Sequence, residues 1–195
     1  TYGFHQTRLG MTSANRILPQ CQLPSSYQSS VMKEPVIIRE FRKTDDACVI
    51  ALVLGIQNDE FHLNLSINDQ QDLTDINAYY GERGGIFLVA ETSAGVIVGT
   101  IGLMRLQDDL GVMKKFFVAA DCRGRDRGIA RALYDRFVES TKRKGVTQII
   151  LDTPSAAVRS HAFYRAVGFV QIDRSELPMS YDFPERDTLF FQLRL

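Results

Sequence analysis

Apolar residues recur every second position in some stretches of this chain and every three to four in others, and the two periods sort it into strands and helices. VIIREF, residues 36–41, predicts a short strand with Ile38 and Phe41 close to opposite sheet faces. Thr44, Asp45 and Asp46 then predict a helix start, with Ala47, Ile50, Ala51 and Leu54 as its apolar stripe and Gly55 at its end. Residues 69–82 predict a second helix carrying Leu73, Ile76, Tyr79 and Tyr80; the polar stretch between the two, 57–68, predicts a loop or lid. IFLVAE (86–91) and VIVGTIGLMRL (96–106) predict a hairpin around Ser93, Ala94 and Gly95, with Gly99 and Gly102 marking bends or close backbone approach. A second hairpin leads into VMKKFFVA (112–119). A strong helix follows at about 128–144, buried through Ile129, Leu133 and Phe137, with Lys142, Arg143 and Lys144 at its negative end. TQIILDT (147–153) predicts a strand covered on both faces, Ser155 caps a helix over 156–167, and 169–173 and 189–195 predict the last strands. The order is β-α-α-β-β-β-α-β-α-β-β without an internal repeat, one domain over 35–195. Residues 1–34, rich in Ser, Gln, Pro and Asn, are expected to be a weakly ordered extension with no chemistry, Met32 being a natural start.

The segment between strand 112–119 and the long helix carries the clearest chemistry. Arg123, Gly124, Arg125, Asp126, Arg127 and Gly128 form a turn that opens directly into the helix at Ile129 and Ala130. Successive N–H groups of such a turn and the unpaired N–H groups of the first helical turn converge on one point, where the helix dipole is positive. That is a site for a phosphate or pyrophosphate. Gly128 and Ala130 are small enough for ligand oxygens to reach the main chain, and three arginines add charge. The Walker loop does not fit, because Gly128-Ile129-Ala130 lacks the Lys and Ser/Thr; the dinucleotide fingerprint does not fit, because the two glycines are four apart. Arg-x-x-Gly-x-Ala alone is a weak pattern, and by itself it is better explained as a solvated turn capping a structural helix.

Taken with the strand before it and with AFYRAVGF (162–169), however, the segment resembles the GNAT superfamily of acetyl-CoA-dependent N-acetyltransferases. The resemblance spans roughly residues 36–195 in element order. It implies an α/β fold with a mixed, mostly antiparallel sheet of six or seven strands, splayed after the cofactor strand and flanked by four helices. It implies that the backbone of Phe116, Phe117 and Val118 pairs with the pantetheine arm of acetyl-CoA as an added strand, and that the amides of 123–130 hold the pyrophosphate. No metal is implied.

Acetyl transfer to an amine needs a neutral nucleophile, stabilisation of an oxyanion and a proton for the departing thiolate. Tyr164 stands where many members of the superfamily carry the tyrosine that protonates the sulfur; the plainer reading is a core tyrosine beside Phe163, itself a candidate cofactor contact. The glutamate that many relatives place on the cofactor strand is here Val112, so Glu60, Asp109 or a water chain is left as the base, although both carboxylates also read as solvated loop residues. Ala157 replaces an asparagine that contacts the pantetheine in many relatives, which leaves Ser160 to substitute. His62, His161 and Cys122 are given no catalytic role.

Composition removes the rival classes. Lys plus Arg equals Asp plus Glu at 23 each, so no global field recruits nucleic acid or an anionic membrane, and the arginine-rich turn is a local feature. Three cysteines without metal-like spacing predict reduced thiols, and with the short apolar runs they predict a soluble cytoplasmic protein. A coenzyme A-binding module without catalysis remains open. Acceptor selectivity is expected from 57–68, 69–82 and the 177–187 connection, whose mixed aromatics and carboxylates suit a small amine or amino acid, with a protein amine as the alternative. The fold is compatible with a homodimer, which no residue demonstrates.

Overall fold

The computed structural model describes residues 35–177 and 187–195. Its strands are β1 (Val36–Glu40), β2 (Ile86–Thr92), β3 (Ile97–Arg105), β4 (Leu110–Val118), β5 (Gln148–Pro154), β6 (Val170–Ile172) and β7 (Thr188–Arg194). They form one sheet in the order β1-β2-β3-β4-β5-β7-β6. Every pairing is antiparallel except β4 with β5, which the helix α3 (Ile129–Arg143) connects as a crossover. The remaining helices are α1 (Asp46–Gly55), the single turn α2 (Gln71–Thr74) and α4 (Val158–Ala166). The expected fold class holds.

Alternation along the central strands divides the interior into two cores. Leu88, Ile101, Ile149 and Leu151 point to one face, where they meet Leu133 and Phe137 of α3 and Tyr164 of α4. Phe87, Val89 and Ile150 point to the other, against Val49 and Val53 of α1 and Leu73, Ile76 and Tyr80. Close approach explains the strand glycines: a Cβ on Gly99 would stand 2.8 Å from Leu133 Cδ1, and one on Gly102 2.7 Å from Tyr80 Cε1.

Several local expectations are corrected. The buried face of α1 is Val49 and Val53, not the stripe through Ala47, Ile50, Ala51 and Leu54; of these four Ala47 is exposed and the others only partly buried. The helix expected over 69–82 is broken at Asp75, whose φ of −147° and ψ of 87° leave the helical region. Its carboxylate instead accepts the N–H of Ala78 at 3.1 Å and starts a separate π-type turn, Asn77–Gly81, the usual way an aspartate competes with the helical ladder. Residues 57–68 are a constrained connection rather than an open loop: a π-type turn, Ile56–Glu60, prolongs α1, and the Asn58 amide exchanges two hydrogen bonds of 2.8 and 2.7 Å with the backbone of Leu65. Helix α4 starts at Val158 behind Ala157, and Ser155 hydrogen-bonds Asp187 instead of capping it. Cys122 is a free buried thiol. The extension 1–34 and most of the 177–187 connection lie outside the described residues. Among the described residues no helix is long and apolar enough to cross a membrane.

One irregularity shapes the centre of the sheet. Gly102 faces Lys114 and Thr100 faces Phe117, so Lys115 and Phe116 together stand opposite Ile101 alone, a β-bulge in β4. Lys115 takes φ +53°, and the buried Thr100 hydroxyl donates to its carbonyl at 2.7 Å. On the other side β4 pairs with β5 only through Leu110, Gly111 and Val112, after which the two strands part. Thr100→Val is expected to leave the Lys115 carbonyl without this donor and to lower unfolding free energy by about 1–3 kcal/mol. Denaturant unfolding measures this; a change under about 0.5 kcal/mol would show that the hydroxyl does not secure the bulge.

Candidate active site

Where β4 and β5 part, a cleft opens between residues 113–117 of the first strand and 151–154 of the second. Ala157, Ser160 and Tyr164 close it from the α4 side, and Phe61 and Leu63 stand at its mouth. The sheet itself supplies the space. Beyond Val112 no β5 residue pairs with β4, and the bulge at Lys115–Phe116 bends β4 further from its neighbour.

Tyr164 is buried among the rings of Phe163, Phe169 and Phe191. Desolvation, and secondarily the negative charge of Asp152, push its phenol far above the ordinary tyrosine range, so the hydroxyl is a proton donor at neutral pH. Asp152 lies across the cleft mouth from β4 on β5 and lines the same cavity. It was not among the expected site residues. A carboxylate in the middle of IILDT, a strand covered on both faces, was the available signal, because a buried charge needs a reason.

The turn expected to bind an anion runs from β4 into α3. A short 3-10 turn, Ala120–Cys122, follows β4, and the chain then passes through Gly124 at φ +115° and Gly128 at φ +65° into α3. The first helical bond runs from the N–H of Ala132 to the carbonyl of Gly128 at 2.8 Å, so the amides of Ile129, Ala130 and Arg131 precede the ladder. A Cβ built on Gly124 or Gly128 meets nothing within 4 Å, so both glycines border open space. Arg125 and Asp126 sit exposed at the tip of the loop. Arg127 is partly buried, and its charge acts on the Cys122 thiol, which burial pushes above its ordinary value.

Other candidates are placed differently from one another. Ser160 lines the cleft, whereas Phe163 packs on Phe116 and Tyr134 with ring centroids 5.4 and 5.7 Å away. Phe116 and Phe117 line the cleft, and Val118 is buried at its end, its carbonyl accepting Arg123 Nε at 2.7 Å. The rest of the Arg123 guanidinium grips Glu60 bidentately at 2.6 and 2.8 Å. Glu60 is therefore near the loop and paired with a cation, and it is off the cleft lining. Asp109 is a correction. It sits in the exposed β3–β4 turn, where its carbonyl accepts the amides of Thr147 and Gln148, roughly 20 Å of strand from Lys115 and off the cleft lining. Val112 is fully buried and brings no base to the cofactor strand.

Comparison with known proteins bears on this arrangement directly. Residues 50–169 match the family model described as the acetyltransferase (GNAT) family. Human N-acetyltransferase 8 is 32% identical over 108 residues, 53% of this chain and 47% of that protein. N-acetylaspartate synthetase of Danio rerio is 29% identical over 129 residues, 63% of this chain and 44% of that protein. The chain thus spans about half the length of these curated relatives. The crystal structure of an acetyltransferase from Streptococcus agalactiae superposes with a TM-score of 0.78 at 36% identity, covering 82% of this chain and 98% of that one. The parted strands, the glycine-bordered helix start and more than half of the sequence agree, and the chain belongs to the GNAT acetyltransferase family.

Proposed function

We propose that this protein transfers the acetyl group of acetyl-CoA directly to the primary amine of a small molecule or amino acid. The observation that carries the reading is the unpaired β5-facing edge of β4 leading into the open helix start of α3. An elongated cofactor with peptide-like amides at one end and a pyrophosphate at the other finds a strand edge for the first and orphan N–H groups for the second. In this reading the main chain of residues 116–118 aligns the pantetheine arm, and the amides of 129–131, with those of the turn at 124–126, receive the pyrophosphate. Ser160 and Ala157 face the arm from α4, and the thioester lies in the cleft beside Tyr164.

The placement supports the following roles. Asp152 takes the proton of the acceptor ammonium, and the freed amine attacks the thioester carbon. The backbone N–H near Val118 polarises the carbonyl oxygen as the tetrahedral intermediate forms. When the C–S bond breaks, the thiolate takes its proton from the buried Tyr164 hydroxyl; the nitrogen, left cationic by its attack, gives up its second proton to restore the phenol, and Asp152 returns its proton to solvent. Asp152 replaces Glu60 and Asp109 as the base because it shares the cavity with Tyr164, which neither of them lines.

Calorimetric titration with acetyl-CoA, followed by thiol release across an amine panel, tests the proposal; binding without release to any amine would leave a coenzyme A-binding module. Gly128→Glu is expected to weaken acetyl-CoA binding by roughly a hundredfold or more, because the new side chain enters the open anion site with a like charge and in a left-handed conformation. Unchanged affinity would remove the anion-loop argument. Tyr164→Phe is expected to lower kcat about a hundredfold while changing the KM for acetyl-CoA by no more than about twofold. Equal turnover would return Tyr164 to the core. Asp152→Asn is expected to lower kcat/KM for the acceptor by a similar factor, with acetyl-CoA affinity retained.

A further inference from the structure

On the β4 wall of the cleft lies a charged cluster that neither the cofactor nor the transfer chemistry uses. The Asp72 carboxylate of α2 is buried, accepts the Tyr80 hydroxyl at 2.6 Å, and pairs with two ammonium groups, Lys115 at 3.2 Å and Lys114 at 3.6 Å. Lys115 also donates to Gln70 Oε1. Consecutive residues of a regular strand point to opposite faces, so Lys114 and Lys115 should not share a partner. The bulge makes it possible, at the cost of a left-handed backbone at Lys115.

A buried lysine in a left-handed conformation is an expensive way to fasten α2 to the sheet. One lysine would neutralise Asp72; here there are two, and both line the cleft. Burial holds the Lys115 amine below its usual range, with Asp72 the main opposing influence. An ammonium has three donors, of which Asp72 and Gln70 occupy two, which leaves capacity for a third bond on a residue that lines the cleft. Asp152, whose charge reaches Lys115 as well as Tyr164, stands on the opposite wall. The cleft therefore presents a positive pole on β4 and a negative one on β5, beside the proton donor.

We infer that Lys115, with Lys114 behind it, receives a carboxylate of the acceptor, so that the acceptor is an amino acid or similar amine bearing a carboxylate, its amine facing Asp152. The inference rests on the proposed acetyl transfer for its amine pole, but the carboxylate contact has a test of its own. The N-acetylated common amino acids and their carboxamides would be titrated calorimetrically into the wild-type protein saturated with coenzyme A, and into Lys115→Met. At least one free acid is expected to bind wild type about tenfold or more tighter than its amide, and the difference to collapse toward unity in K115M. Acetyl-CoA affinity should stay within about twofold, which a collapsed cleft would not allow. In parallel, thiol release with the free amino acids should show K115M raising the acceptor KM more than it lowers kcat. Equal affinity of every acid and its amide for the wild-type protein would overturn the inference without recourse to a variant, as would a preference surviving intact in K115M. Thiol release from carboxylate-free amines at the same efficiency would overturn it while leaving the transferase reading standing. A carboxylate preference with no turnover on any amine would do the reverse.

Discussion

Three residues of parallel pairing, Leu110 to Val112 against Gln148 to Ile150, hold the two halves of the sheet together; the next residues of β4 have no partner on that side. A buried strand edge without partners carries unsatisfied N–H and C=O groups, which sheets ordinarily cover. Here the strands part after Val112, the bulge bends β4 further, and the Thr100 hydroxyl bonds the carbonyl of the bulged Lys115. The two lysines on one carboxylate are a consequence of that single extra residue in β4. The two cores on either side keep the walls fixed while the seam between them stays apart.

The same local geometry brings together groups that are distant in sequence. Asp152 comes from β5, Tyr164 from α4, and Lys115 from β4, yet all border one space. The anion loop lies at the end of the same strand, so a ligand running along β4 meets backbone amides, a proton donor and charged poles in succession. Each wall has its own chemistry. The α4 wall is aromatic and raises the Tyr164 phenol by excluding water, while the β4 wall is polar and satisfies its buried charge through Asp72, Tyr80 and Gln70.

What was legible in the sequence is what depends on neighbours along the chain. Short β-rich apolar runs, alternating or continuous, located the strands among the described residues, and Ile129, Leu133 and Phe137 gave the buried face of α3 because that helix is amphipathic. The glycine–arginine turn announced the helix-start site in the same local way. The face of α1 was not readable, since from Ala47 to Leu54 every residue is apolar and no period survives to orient it. Asp75 broke a helix by offering its own carboxylate to the backbone, a competition that the surrounding Leu73 and Ile76 concealed. Asp152 and the Lys114–Lys115 pair escaped notice for a different reason. Their meaning arises from the parting of β4 and β5 and from a bulge, and neither is encoded in any one segment's periodicity.

Arg123 joins the strand end at Val118 to Glu60 at the end of the α1 extension, with both charged side chains about a third exposed. An ion pair so open to water is worth under about 1 kcal/mol. An anion that drew this guanidinium away would release Glu60, and by reciprocity whatever steadied Glu60 would weaken the hold on that anion. Arg123 would then link occupancy at the loop to order in the 56–69 segment. The weakness of the pair sets the ceiling: through Arg123 neither end shifts the other's equilibrium by as much as about tenfold.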